Sequence, residues 1–270
     1  MIPVVDVHCH VYPAVIADKA AKAVADFYQV QPGEGAAEVA GLPEVLKKEC
    51  VGRYNFIHSV ATVPHQVQSV NRFVAGVAAM DKRFLALGTL NPYSTPLEME
   101  ENIAQLKKLG LPGVKIHPDM QQFPLNGKES LAMLEACENQ FVILAHTGDV
   151  RYHFSNPSEF APVLKRFPQT TFIGAHMAGY TCWEEAAKKL AGRFENLYVD
   201  LSSTMFALPP EKCVELIRAY GAERVLFGSD FPMWRPQKEL ERFLALPLTK
   251  QEQEMILYRN AAKLFKLPSL

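Results

Sequence analysis

Short apolar runs, many of them β-branched, alternate along the chain with longer stretches whose apolar positions recur at helical spacing. That alternation is the mark of a parallel α/β sheet. Eight runs read as strands, at residues 3–9, 54–61, 85–91, 113–117, 141–146, 171–175, 197–201 and 224–229. Several are apolar almost without a break, as in Phe141-Val142-Ile143-Leu144-Ala145, and strands covered on both faces look like that. Between them, residues 98–109, 129–138 and 211–220 carry helical periodicity. Gly110 and Gly221 stand where the first and last of these should stop, and Pro157, Pro209-Pro210 and Pro236 where helices should begin. The closing stretch, 250–265, reads as a helix packed on the outside.

The long gap lies between strands one and two, at residues 10–53: an Ala-rich helix near 14–28, a Pro-Gly-Glu-Gly turn at 32–35 and a second helix near 36–49. Eight βα units in 270 residues predict an α/β protein, a single (β/α)8 TIM barrel with a helical insertion after strand one, in one domain over 1–270. A doubly wound open sheet would place a glycine-rich phosphate loop after strand one, and His-Cys-His-Val-Tyr-Pro stands there instead. An insertion after the first strand of a barrel lies on the carboxyl-end face, where it can cover a site.

Composition narrows the partners. Hydrophobic residues are 49% and charged residues 21%, with a net charge of −1, so no basic field exists for nucleic acid or an anionic membrane. Five scattered cysteines without a CxxC pair point to reduced thiols in the cytoplasm, and Cys9 reads as a small buried hydrophobe. No signal peptide or membrane-length apolar run is visible. The expected partner is a small-molecule substrate, with a homo-oligomer left open.

Of eight histidines, His8 and His10 end strand one, His117 ends strand four, His146 ends strand five and His176 follows strand six; Asp230 follows strand eight. In a parallel barrel these ends meet on the rim where active sites are built. Residues two apart on a strand share a side, so His8 and His10 can hold one ion as a pair, and imidazole nitrogen is a good zinc ligand.

The segments Asp6-Val7-His8-Cys9-His10, Gly113-Val114-Lys115-Ile116-His117-Pro118, Ala145-His146-Thr147-Gly148, Gly174-Ala175-His176 and Gly228-Ser229-Asp230-Phe231-Pro232 resemble the amidohydrolase superfamily. Within it, the likeness is to the amidohydrolase-related branch that also contains aminocarboxymuconate semialdehyde decarboxylase. The resemblance runs from residue 4 to about 265 and is specific for fold and metal site, not for substrate. It implies His8, His10 and His146 as ligands of one divalent metal, zinc by expectation. It also implies Asp230 as a further ligand that touches the metal-bound water, where it is the natural general base, and His176 as a proton-handling or substrate-polarising group. Some members carry a carboxylated lysine on strand four that bridges a second metal. Lys115 is the candidate here, against the reading of a cation paired with Asp6 or with a substrate carboxylate. His117 is expected to face substrate. Asp6, on the side of His8 and His10 by alternation, either fixes an imidazole tautomer or pairs with a barrel lysine.

Zinc lowers the pKa of bound water to about 7, so hydrolysis of an amide, ester or lactone of a small, carboxylated molecule is the first expected chemistry. The alternative is a decarboxylase or hydratase on the same site; a non-catalytic metal-binding barrel is the remaining class. A decarboxylase needs cations for a substrate carboxylate, and Arg53, Arg151 and Arg235 are the candidates. Arg151 lies in the loop 149–154, which is expected to line the pocket with Tyr12 and Trp234.

Overall fold

The apolar runs form parallel staves, in sequence order, in the computed structural model, which describes residues 2–29 and 41–268. The strands are β1 (Val5–His10), β2 (Tyr54–His58), β3 (Phe84–Ala86), β4 (Gly88–Thr89), β5 (Gly113–Ile116), β6 (Val142–Ala145), β7 (Phe172–Gly174), β8 (Leu197–Asp200) and β9 (Val225–Leu226). β3 and β4 are two halves of the single strand expected at 85–91. The first half pairs with β2 and the second with β5, and between them Leu87 N–H still bonds Ile57 O at 2.9 Å. The ring closes where β1 meets the eighth stave: Val7 N–H bonds Phe227 O at 3.0 Å, and Cys9 bridges Phe231 in parallel. The expected barrel is the fold.

Two apolar layers follow from the alternation of side chains across each strand. Val5, Val7, Phe56, Leu144, Ile173 and Leu226 fill the barrel interior, while Ile57, Val114, Ile143 and Val199 join the helices outside. The closing helix is a correction to the sequence reading. Tyr258, Ala261 and Ala262 pack into the interior cluster, and Phe265 lies on Phe56 with ring centres 4.1 Å apart. The helix stops the end of the barrel opposite the rim. A π-helical turn at Met255–Arg259 makes this fit, leaving Ile256 O to accept Phe227 N–H at 3.2 Å.

Helices begin where capping chemistry dictates. The helix expected from 98 starts at Pro96, because Thr95 and Glu98 form a reciprocal cap. Pro157, Pro210 and Pro236 open their helices as expected. Gly110 and Gly221, at φ 66° and 86°, take the left-handed backbone that ends theirs. The insertion holds α1 (Ala17–Tyr28) and α2 (Pro43–Glu49); the expected turn at 32–35 lies outside the described residues. The helix α3 (Val67–Ala78), which follows β2, packs on β3, β4 and the helix that starts at Pro96, and with α1 it lines the cavity over the rim. No helix among the described residues is long and apolar enough to cross a membrane, and the five cysteines are unpaired thiols.

Candidate metal centre

β1 is not a regular strand. Asp6 pairs with Asn55 and Cys9 with Ile57, so Val7 and His8 together oppose Phe56 alone. This bulge puts Asp6 in step with Cys9 rather than with the histidines, against simple alternation. Its carboxylate accepts the backbone N–H groups of His8 at 3.1 Å and Ser229 at 3.0 Å. Asp6 therefore staples β1 to the eighth stave, and it neither fixes an imidazole nor pairs with Lys115.

The imidazole is fixed by Asp200, a residue the sequence reading did not single out. It ends β8, and its Oδ2 lies 2.9 Å from His8 Nδ1. That bond puts the His8 proton on Nδ1 and leaves the Nε2 lone pair facing inward. His8 Nε2 is 3.2 Å from His10 Nε2, and each is 3.4 Å from Asp230 Oδ1. Burial pulls His8 down to about 4, assisted by the nearby Lys115 ammonium, and burial also lowers His10. Burial works to raise Asp230, but the charges of His8 and His176 and the bond to His10 hold it well below the usual carboxylate range. Asp200, opposed in the same way by burial, is brought down to about 2 by His8.

His58, at the end of β2, was also missed by the sequence reading. It brings a nitrogen within 4.8 Å of those of His8 and His10, and neither of its buried ring nitrogens has a hydrogen-bond partner. Neutral imidazoles, an ionised carboxylate and an orphaned buried nitrogen converging on one point fit a divalent cation. Lys115 is fully buried with Nζ 3.2 Å from His8 Nε2, and burial lowers it to about 8.

The other predicted residues stand in an adjoining cluster. His117, Asp119 and His146 offer ligand atoms within 4.8 Å of one another, and the rings of His117 and His146 stack at 4.0 Å. Their hydrogen bonds define a chain of tautomers. His117 Nδ1 accepts Met120 N–H, so its Nε2–H faces the Tyr28 hydroxyl at 2.7 Å. At the other end Ser202 O lies 2.9 Å from His176 Nδ1, which makes that nitrogen the donor. His176 Nε2 then accepts from His146 Nδ1 at 3.0 Å, and the Nε2 lone pair of His146 is left facing Tyr28 at 3.1 Å and Asp119 at 3.3 Å. Burial raises Asp119 to about 7. His176, Met177 and Ala178 have left-handed backbone, φ 57°, 56° and 56°, against the preference of L-residues. The His176 N–H bonded to Asp200 at 3.1 Å and the Trp183 indole on His176 O at 3.1 Å hold that backbone in place.

A cavity of about 650 Å³ opens over both clusters, lined by His10, His117, His146, His176 and Asp230, with Tyr12, Tyr28, Tyr180 and Trp234 on its walls. Tyr180 reaches it because Gly148, at φ 85°, lets two loops touch; a Cβ there would meet Tyr180 N at 2.4 Å. Ser203 donates to Asp230 Oδ2 and accepts the Trp234 indole at 2.8 Å. Lys115 lies beneath the wall. Arg151 is also outside it: three of its nitrogens go to Asp149 or Phe27 O, with Nη2 2.6 Å from Asp149 Oδ2.

A parallel barrel with buried histidines and carboxylates gathered at its carboxyl rim defines a metal-dependent barrel enzyme. The chain belongs to the amidohydrolase family, whose profile matches residues 5–267. An uncharacterised TIM-barrel protein from Bordetella bronchiseptica shares the fold at a TM-score of 0.80 and 22% identity, over 98% of this chain and 99% of that one. So does 5-carboxyvanillate decarboxylase from Novosphingobium aromaticivorans, solved with manganese and 4-hydroxy-3-methoxy-5-nitrobenzoic acid, at a TM-score of 0.72 and 15% identity over 98% and 96% of the two chains. The chain is also 28% identical over 127 residues to decarboxylase orsB of Emericella nidulans, a match that takes in 40% of this chain and 38% of that protein's length.

Proposed function

We propose that the protein is a metal-dependent decarboxylase of a small hydroxy-aromatic acid. The observation that carries this reading is the His8–His10–Asp230 trio, whose His10 and Asp230 reach the cavity wall beside His176, in a chain most of whose named relatives are decarboxylases. This reverses the order of the sequence expectations, in which hydrolysis came first.

His8, His10 and Asp230 hold the ion, and His146, with its Nε2 lone pair free of a proton, is the fourth ligand implied by the family pattern. Zinc and manganese both suit imidazole and carboxylate donors. The ion supplies Lewis acidity to a substrate oxygen when bound. Asp200 fixes the His8 tautomer, as outer partners of ligating histidines commonly do. Lys115 adds a positive charge that favours neutral His8.

Decarboxylation breaks the bond between ring carbon and carboxylate and leaves the electron pair on the ring. One proton replaces the departing CO₂. Asp230 is the group placed to deliver it, with the His176 ring beside it on the wall, Nδ1 3.9 Å from Oδ2. Asp230 is ionised in the resting site, so it takes that proton from water or from the substrate's own hydroxyl. His117 and Tyr28 orient the aromatic hydroxyl.

The test is a panel of hydroxybenzoates scored for CO₂ beside amides, esters and lactones scored for hydrolysis, with metal-loaded protein. CO₂ release without hydrolysis is expected; hydrolysis alone would return the reading to the first sequence expectation.

A further inference from the structure

The reacting groups occupy only one end of the cavity. Away from them the walls are mostly apolar, with Ala20 and Val24 of α1, Val70 and Phe73 of α3, Val60 and Met233, interrupted by the uncharged Thr62, Gln66 and Ser69. A space of about 150 Å³ suffices for a benzene ring, so a cavity of about 650 Å³ is several times larger than a bare hydroxybenzoate requires. Among the described residues no arginine lines it, and its one lysine, Lys19, is exposed at the rim. The arginines that the sequence offered for a carboxylate are engaged elsewhere. Arg151 bonds Asp149, Arg235 bridges Glu49 at 2.6 Å, and Arg53 lies over the Tyr54 ring at 5.8 Å. A second carboxylate carried deep into this chamber, away from Lys19 at the rim, would be a buried charge with no cation beside it among the described residues, which is costly. A hydrocarbon group there gains from burial instead.

We infer that the substrate is a hydroxy-aromatic monocarboxylic acid bearing an alkyl chain, which lies between α1 and α3 while the carboxylate end meets the histidines. The chamber is continuous with the reacting centre, so its occupant belongs to the same molecule as the group that reacts. The inference rests on the decarboxylase reading for its reacting end alone; the chain-binding half stands on the walls.

Two measurements separate the two claims. The first is kcat/KM for CO₂ release from hydroxybenzoates whose ring carries alkyl chains of increasing length. Burial at about 0.8 kcal/mol per methylene corresponds to about a fourfold gain for each, and a gain of that order over the first several carbons is expected. The second is the affinity of the matching alkylphenols, read by calorimetry, which requires no turnover. Affinity that rises with chain length while no acid releases CO₂ supports the apolar chamber and overturns the decarboxylase reading. Turnover of the bare acid with no gain from chain length overturns the inference and leaves the reading standing. Ala20→Phe, which fills the chamber from α1, is expected to erase the length dependence and leave the bare acid unchanged. Val70→Asp tests the same wall from α3, so failure of one variant to fold does not end the test. Length dependence intact in both folded variants would place the chain elsewhere and overturn the assignment.

Discussion

The two histidine clusters at the rim are built differently. His10, His58 and Asp200 end strands of the barrel, His8 lies within β1 two residues before its end, and Asp230 follows the last strand. His117, Asp119 and His146 sit just past strands, and the partner that joins His117 to His146 is Tyr28, from a helix of the insertion. The electrostatics diverge as well. Asp200 is brought down to about 2 because His8 opposes its burial, while Asp119, with burial dominant, is raised to about 7. One cluster has its charge state fixed by the barrel. The other holds a carboxylate that burial raises to about 7 and leans on a peripheral helix. That suits His117 and Asp119 to contact with substrate and leaves His146 as its one contribution to the proposed metal site.

The largest effect that could break this contrast is at β1. His8→Ala/His10→Ala should remove bound metal and lower kcat/KM by about 10³-fold, the scale of several kcal/mol of Lewis-acid stabilisation. Metal retained at one equivalent by elemental analysis would place the ion in the other cluster. Asp200→Asn should lower metal affinity by about 10–100-fold, the usual cost of losing the partner of a ligating histidine, as read by competition with a chelator. Tyr28→Phe removes a hydroxyl from two histidines and should change kcat/KM by about tenfold or less, with metal content unchanged. A loss of metal in that variant would make the insertion part of the cage.

The smallest effect is on stability. In metal-stripped protein Asp119 keeps its proton up to about pH 7, well above the unfolded value of 3.8. The folded state therefore binds more protons between these values, and the contribution of this group to stability falls as pH rises through that window. Asp200 works in the opposite sense: its contribution is present above pH 3.8 and is lost as pH falls toward about 2. Urea midpoints between pH 4 and 8 should decline less steeply in Asp119→Asn than in the parent. An unchanged slope would show that another group sets it.

Much of this was legible in the sequence because a parallel barrel sends every strand end to one rim. The eight staves, and the rim positions of His8, His10, His146, His176 and Asp230, follow from apolar runs and what stands after them. Alternation failed at Asp6 because a bulge adds a residue to β1, and no property of Val7 or His8 announces it. His58 and Asp200 end strands just as the recognised residues do, but a lone histidine or aspartate there is indistinguishable from a satisfied core group until its partners are known. Tyr28 had no signal, since an aromatic at the end of an Ala-rich helix reads as ordinary packing. The closing helix was misplaced because periodicity tells which face is buried, not against which neighbour.

The plug of Tyr258, Ala261 and Ala262 at the far end of the barrel sets the traffic of the reaction. With that end sealed, the cavity over the histidines, walled in part by α1 and α3, is the approach that the described residues leave to the site, and in the proposed reaction acid, CO₂ and aromatic product would share it. The product of that reaction would leave past the same apolar walls that received its precursor, and would compete with incoming acid for them. Inhibition by product should be competitive and should deepen with each carbon of the chain, making exit the slow step for the longest substrates.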